Sequence, residues 1–271
     1  MTAFPSRLER FASVDSTQRV VRAWLDAGVP EVAVAVADTQ SAGRGRLGRG
    51  WSAPAGAALL VSAGFRPAWL PLRHAWRLGA IVALAMLDAA EDAGGLRDAT
   101  LWLKWPNDIV ADGPDGRLLK VAGVLGESVL LGDRIDSAVV GIGVNADWAR
   151  SDFPAELVGS MTSLRELSGG RPIDRDALLD GWLARLEPRY EALHAGIFDA
   201  GAWTTRQRTT GHPVEVETGG DLVAGRAAGV DPETGALLVD DRARGVGRAI
   251  DSGEVVRCRI VELPRRRGDD L

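Results

Sequence analysis

The chain has 271 residues, 46% of them apolar, enough for one sizeable core and a small second one, and it carries a net charge of -5 with a pI near 5.4. That balance excludes a general nucleic-acid or membrane-surface binder, because no global positive field gathers phosphates. The single cysteine, Cys258, excludes an internal disulfide. The longest apolar run, Ile81 to Leu87, is far shorter than the roughly 20 residues of a membrane span, and the first residues have no apolar leader core. A cytoplasmic protein without a membrane segment is expected.

In chain order, Asp15, Ser16 and Thr17 are cap candidates for a helix that ends at Gly28, and "EVAVAVA" (Glu31 to Ala37) follows as a buried strand. After the loop "GRGRLGRGW" (Gly43 to Trp51) come a strand, "ALLVSAGF", and a long helix with a wide apolar face from Leu72 to Gly94. "TLWLKW", "LKVAGVLGESVLL" and "IDSAVVGIGVN" read as strands, the last two joined as a hairpin through "LGDR". Helices resume at "SMTSLREL" and "DRDALLDGWLARLEPRYEALHAG", where Pro188 is expected to kink the chain or start a new turn. From His212 to Leu263, short alternating runs between turns such as "TGGD" and "DPETG" suggest a small antiparallel barrel. The expected plan is an α/β (α+β) unit over residues 1–208, an all-β unit over 209–265 and a frayed tail over 266–271.

Charge is uneven along this acidic chain. No acid lies between Asp38 and Asp88, while Arg44, Arg46, Arg49, Arg66, Arg73 and Arg77 do, so one cationic neighbourhood and a small anionic partner are expected. Of the 32 basic residues only Lys104 and Lys120 are lysines, and Asn107 and Asn145 are the only asparagines. Arginine is a broad planar fork and lysine a slender point charge, so two lysines within seventeen residues mark a place where arginine does not fit.

The loop contains G-x-G-x-x-G at Gly43, Gly45 and Gly48, but it fails as a dinucleotide fingerprint. No helix opens from it, and the first acid after it is Asp88. A solvated basic loop is the bland alternative. The functional reading is that glycines let the backbone approach a ligand while arginines close over phosphate or carboxylate, with Trp51 offering an aromatic face; such a flap orders when its anion arrives. In "LKWPNDIV", Asn107 and Asp108 sit on a turn close to Lys104, either as a plain Asx turn or as a carboxylate that handles an amine. In "LKVAGVLGES", Lys120 sits on an apolar strand that Gly123 and Gly126 thin, as where a ligand nears the backbone. "GIGVN", ending at Asn145, repeats that pattern.

Together "DSTQ", "DTQSAGRGR", "GRGRLGRGW", "KWPND", "KVAGVL" and "GIGVN" occur in one order across residues 12 to 265, and the chain resembles the biotin protein ligases. The resemblance implies a central mixed sheet flanked by helices, as in class II aminoacyl-tRNA synthetases, followed by a small SH3-like barrel. It implies that biotin's carboxylate attacks the α-phosphate of ATP, with Mg²⁺, to give biotinyl-5'-AMP, which acylates a lysine of a biotin carboxyl carrier protein, the acyl-CoA carboxylase subunit. By motif position, Ser16, Thr17, Gln40, Gly43, Arg44, Gly45, Arg46, Lys120 and Gly123 would hold biotin. Arg49, Trp51, Asn107, Asn145, Ala146 and Lys120 would hold the nucleotide, with Trp51 against the adenine. Lys120, Asp108 and Arg46 would be catalytic.

Two departures stand out: "STQ" replaces the family's usual Ser-Thr-Asn, which leaves Gln18 outside the expected site, and the segment from Asp108 to Lys120 is longer than usual. Fewer than twenty residues precede Ser16, so no DNA-binding domain is expected, and a monomer or weak homodimer is. The rivals are a lipoate or octanoate ligase or transferase, which would make Ser16, Thr17 and Gln40 bystanders, and an RNA-binding module, which the acidic balance and scattered aromatics disfavour.

Overall fold

The computed structural model describes residues 4–96, 100–114, 116–241 and 245–261. The frayed tail expected at 266–271 and the end of the 209–265 unit lie outside the described residues. In chain order the elements are β1 (Arg7–Val14), α1 (Thr17–Asp26), β2 (Ala33–Gln40), β3 (Ala58–Phe65), α2 (Trp76–Ala93), β4 (Leu101–Lys104), β5 (Asp108–Asp112), β6 (Leu118–Leu131), β7 (Arg134–Asn145), α3 (Leu164–Leu167), α4 (Arg175–His194), α5 (Ala200–Thr205), β8 (Pro213–Thr218), β9 (Leu222–Val230), β10 (Leu237–Asp241), β11 (Val246–Ile250) and β12 (Val255–Ile260).

Seven strands form a mixed sheet in the order β1-β2-β3-β7-β6-β5-β4. Only β1 and β2 are parallel, bridged by the α1 crossover; every other pair is antiparallel. β3 is buried at all eight positions, which explains its unbroken apolar reading. One face of the sheet takes α1 through Val21, Leu25, Ala35 and Val139. The other takes α2, which packs against α4, and holds the main core with Phe65, Met86, Trp105 and Trp182. Gly132, at φ +63°, makes the expected tight turn between β6 and β7, where Leu131 faces Arg134.

The C-terminal strands form a second, antiparallel sheet in the order β11-β10-β9-β8-β12. All five strands lie where alternation placed them. Among the described residues the edge strands β11 and β12 do not pair, so in hydrogen bonding this is an open sheet. Among the described residues this sheet has no separate core of its own, contrary to expectation. Val214, Val216, Val223, Leu237, Val239 and Ile250 join the same contiguous core as the large sheet.

α4 is one continuous helix through Pro188, with Leu186 before the proline and Tyr190 and Leu193 after it all buried on one core. β1 and β5 were not expected. β5 begins at Asp108, so this residue opens a strand rather than sitting on a turn.

Candidate active site

A cavity of about 470 Å³ opens over the face of β6 and β7 that α1 covers, between the start of α1, the glycine-arginine loop and the β4–β5 turn. Its polar end is built by topology. The parallel β1-α1-β2 unit brings the last residue of β2, Gln40, to the first turn of α1. There Gln40 Oε1 accepts from the Thr17 amide at 2.7 Å and from Thr17 Oγ1 at 3.1 Å. Thr17 Oγ1 also lies 2.8 Å from Ser62 Oγ in the middle of β3. With its oxygen taken twice, what Gln40 offers the cavity is its Nε2 donor. Ser16 makes no side-chain cap bond and lines the same space. Asp15 accepts from the Ser16 amide at 2.6 Å, and the Arg19 guanidinium holds its carboxyl below the usual range.

The loop is a small hairpin. Arg44 bridges Gly50, the Gly45 amide donates to Arg49 O at 2.7 Å, and the Trp51 amide to Gly43 O at 2.9 Å. Leu47 and Gly48 turn the tip at φ 57° and 70°. Arg44, Arg46 and Arg49 all line the cavity. Arg46 donates to the carbonyls of Ser252 and Val255, and Arg49 to that of Val256 at 3.2 Å, so the loop is tied to the C-terminal sheet. Burial lowers the pKa of Arg46, against the opposing field of Asp108.

Lys120 and Asp108 form an ion pair of 2.6 Å on the cavity floor. β5 and β6 set it up by pairing Asp108 with Gly123 and Val110 with Lys120 across an irregular register. The sequence placed Asp108 close to Lys104. The two do pair along the backbone of β4 and β5, but the Lys104 ammonium donates to Cys258 O at 3.0 Å. Asn107 Nδ2 donates to Val124 O at 2.9 Å and fixes the turn.

Ser16, Thr17, Gln40, Arg44, Gly45, Arg46, Arg49, Trp51, Asn107, Asp108, Lys120 and Gly123 thus line one cavity, and three expected residues do not. Gly43 stands just behind it, where a Cβ would meet Trp51 O at 2.5 Å. Asn145 is fully buried, and its Nδ2 donates to Thr162 O at 3.0 Å and Lys120 O at 3.4 Å. It therefore holds the strand that carries Lys120 against the 160–162 segment. Ala146, also fully buried, donates its amide to Ala57 O at 3.2 Å.

Two further expectations need correction. The space cleared by Gly123 and Gly143 is filled by the protein itself, since a Cβ on Gly143 would meet the Trp51 ring at 2.6 Å and one on Gly123 would meet Lys120 Nζ at 2.9 Å, whereas at Gly126 nothing lies nearer than Val140 Cγ2 at 4.0 Å. Trp51 therefore lies flat on the sheet, with Lys120 Nζ 5.3 Å from its ring centre. Nor do all six arginines of the acid-free stretch gather here. Arg66 serves the end of α1 at Leu25 O, and Arg77 the Pro232 carbonyl.

The sequence reading missed Ser62, Gln18 and the 157–161 segment. Ser62 was detectable: a hydroxyl inside an otherwise apolar, fully buried strand requires a partner. Gln18, set aside above, lines the cavity, packs over Gly141 and donates to Leu125 O at 2.9 Å. The 157–161 segment reaches Lys120 only through a long-range bridge between Lys120 and Met161, which leaves no local pattern.

Residues 10–145 match the model of the biotin/lipoate A/B protein ligase family. The chain is 35% identical over 83% of its length to a biotin-(acetyl-CoA-carboxylase) ligase of Mycobacterium tuberculosis, covering 79% of that protein. It is 33% identical over 84% of its length to the bifunctional ligase/repressor BirA of Bacillus spizizenii, covering 67% of it. Among solved structures, a biotin protein ligase of Aquifex aeolicus in complex with biotin and ATP superposes with a TM-score of 0.76 at 28% identity, over 94% of this chain and 99% of that one. With its cavity, its motifs and two thirds or more of these relatives in common, the chain belongs to the biotin/lipoate A/B protein ligase family.

Proposed function

We propose that this chain joins biotin to a lysine of a biotin carboxyl carrier protein, the acyl-CoA carboxylase subunit, at the expense of ATP. The observation that carries the reading is the convergence of Arg44, Arg46, Arg49 and the Lys120–Asp108 pair in one cavity with the Ser16, Thr17 and Gln40 hydrogen-bonding end. A carboxylate attacking a polyphosphate meets mutual repulsion, and preorganised cations offset it. The carboxylate oxygen bonds the α-phosphorus as the bond to pyrophosphate breaks, with Lys120 and Arg46 against the oxygens that carry the charge. The acceptor's amine, deprotonated beside Asp108, then bonds the acyl carbon as the carbon–oxygen bond to AMP breaks. Gln40 Nε2, Ser16 and Thr17 suit a ureido head, which separates biotin from lipoate.

Among the described residues Asp108 is the sole carboxylate on the cavity wall, and it is bound to Lys120. No cluster of three or more metal-ligating side chains exists among the described residues. The described residues thus form no all-protein Mg²⁺ cage, and Mg²⁺ would enter on the phosphates as MgATP. We place the enzyme in the cytoplasm, where ATP and carboxylases are, and we give it no DNA-binding role in view of its net charge of -5. We keep the division at residues 208 and 209 as a working boundary, supported by the change from the mixed to the all-antiparallel sheet.

Incubating the chain with biotin, MgATP and a carrier domain, and reading the carrier's mass, tests the function. A single biotinyl addition is expected. Modification by lipoate with none by biotin would replace this reading with the lipoate one.

A further inference from the structure

A second cavity of about 360 Å³ adjoins the first, between the start of α2, the end of α5, β4 and the part of β6 beyond β5. The two share Arg46, Lys104, Asn107, Asp108, Val124 and Leu125, so whatever enters the second is delivered to the Lys120–Asp108 pair from the side away from Thr17 and Gln40.

Its wall carries a concentration of orphaned polar atoms. Of nine buried side-chain polar atoms without a partner among the described residues, three lie here: Gln207 Nε2, Gln207 Oε1 and Trp203 Nε1. Gln207 is 5% exposed and Trp203 6%. Neighbouring groups on the same wall are satisfied, Trp105 Nε1 by Gly235 O at 3.0 Å and Trp76 Nε1 by Glu233 O at 3.3 Å. The backbone around Gln207 is satisfied too, since Arg206 O and the Arg208 amide bond Leu103 on β4 at 2.8 Å each. A fold that holds a carboxamide in place by its main chain while leaving both its polar atoms buried and unpaired leaves a hydrogen-bonding demand for a ligand to meet.

The chemistry of that demand is specific. A carboxamide offers a donor and an acceptor side by side, the complement of the N–H and C=O of one extended main-chain residue, and the indole N–H needs a second acceptor. Ala80, Ala83 and Leu103 nearby are apolar, which suits a neutral group; an anion has no use for Gln207 Oε1. Leu103 bridges Gln207, and the next residue, Lys104, stands opposite Asp108 in the β4–β5 register.

We propose that this cavity seats the main chain of the acceptor protein beside its target lysine, with Gln207 pairing to the N–H and C=O of one extended residue and Trp203 donating to a neighbouring carbonyl. The inference rests on the ligase reading. It makes Gln207 and Trp203 acceptor-recognition residues that have no part in activating biotin.

The test compares the full chain with its Gln207→Leu and Trp203→Phe variants, each supplied with biotin and MgATP and offered two acceptors, a carrier domain or hydroxylamine, which is a nucleophile without peptide bonds. Gln207→Leu is expected to raise KM for the carrier about tenfold and Trp203→Phe several-fold, in keeping with one or two buried hydrogen bonds, with a loss at least roughly fivefold greater than that towards hydroxylamine. The melting temperature should not fall with Gln207→Leu, because the unpaired atoms go with it; should that variant misfold, Trp203→Phe carries the test. Equal losses towards both acceptors would make the pair structural, and no loss towards either would leave the cavity to water; each overturns the proposal. Absence of biotinyl hydroxamate from the unaltered chain would instead sink the ligase reading and this inference with it.

Discussion

At the scale of single residues, the choice of lysine over arginine locates the chemistry. Both lysines line the cavity, and Lys120 fits between Asp108 at 2.6 Å and Gly123, where a side chain on the glycine would already collide with it. Lys120→Ala should cost about 1.5–3 kcal/mol in the transition state for adenylate formation, one to two orders of magnitude in biotin-dependent pyrophosphate exchange. Lys120→Arg should not restore it, because the guanidinium fork is too broad for the gap. Exchange within twofold of the unaltered chain in Lys120→Ala would refute that role. The lysines, the loop arginines and Asp108 were legible because each is unusual in its local setting. The buried amide of Asn145 holds the Lys120 strand to Thr162, a supporting contact that the sequence does not separate from ligand contact.

Cys258 gives a residue-scale prediction of another kind. Burial pushes its thiol up to about 11, the nearby Lys104 opposing and Asp108 adding to the shift. The unfolded thiol ionises at its ordinary value, so between roughly 9 and 11 the folded state binds more protons than the unfolded one. Stability from this group is complete below that window and is lost as pH rises through it, by on the order of 2–3 kcal/mol. Urea unfolding at pH 8 and pH 10.5 should show a steeper decline for the unaltered chain than for Cys258→Ala, and equal declines would contradict the assignment.

At the scale of elements, α1 is the piece on which binding depends in the proposed site, because its start carries the cap Ser16 and Thr17 while its buried face sets its height over the sheet. That height is fixed at Gly64 on β3. A Cβ there would meet Val21 Cγ1 at 2.5 Å and Leu25 Cδ1 at 3.0 Å. Gly64→Ala should therefore cost about 1–3 kcal/mol of stability through overpacking. It should also weaken biotin binding by lifting Thr17 from Gln40 and Ser62. Thermal unfolding and biotin titration check the two effects, and a stability loss without any change in biotin affinity would mean that α1 yields elsewhere.

Elements were legible where one face is continuously apolar or strictly alternating, as in β3, α2 and the strands of the second sheet. β1 was missed because as an edge strand it has no buried position and carries Arg7, Glu9 and Arg10. β5 was missed because its five residues follow directly on the Trp-Pro-Asn turn. The end of β6 and its hairpin turn were legible from "LGDR" alone, since a two-residue turn with glycine in the left-handed region has a sequence pattern of its own.

At the scale of the molecule, the second sheet closes the active site with its main chain. The register of β12 against β8 slips between Val255 and Arg257, and a bulge of this kind re-aims the backbone. Here the carbonyls of Val255 and Val256 accept from Arg46 and Arg49, while that of Cys258 accepts from Lys104. Carbonyls leave no trace in side-chain sequence, and more than two hundred residues separate Arg46 from this strand, so the contact was not legible in advance. It gives the loop a resting position in which its cations are already partly neutralised. The substrates must compete with these carbonyls, and their full negative charges make the stronger, charge-assisted partners. The loop should therefore be held by two partners when biotin and ATP are bound and by the carbonyls alone when they are not. Trypsin cutting after Arg44, Arg46 or Arg49 measures the difference, because cleavage requires the hairpin to open. Biotin and MgATP together should slow that cleavage several-fold, and more than either alone, while cuts at surface arginines such as Arg73 proceed as before. Equal rates of loop cleavage with and without both ligands would mean that the hairpin is a fixed wall of the cavity, and the neutralising role given to its arginines would then rest on Lys120 alone.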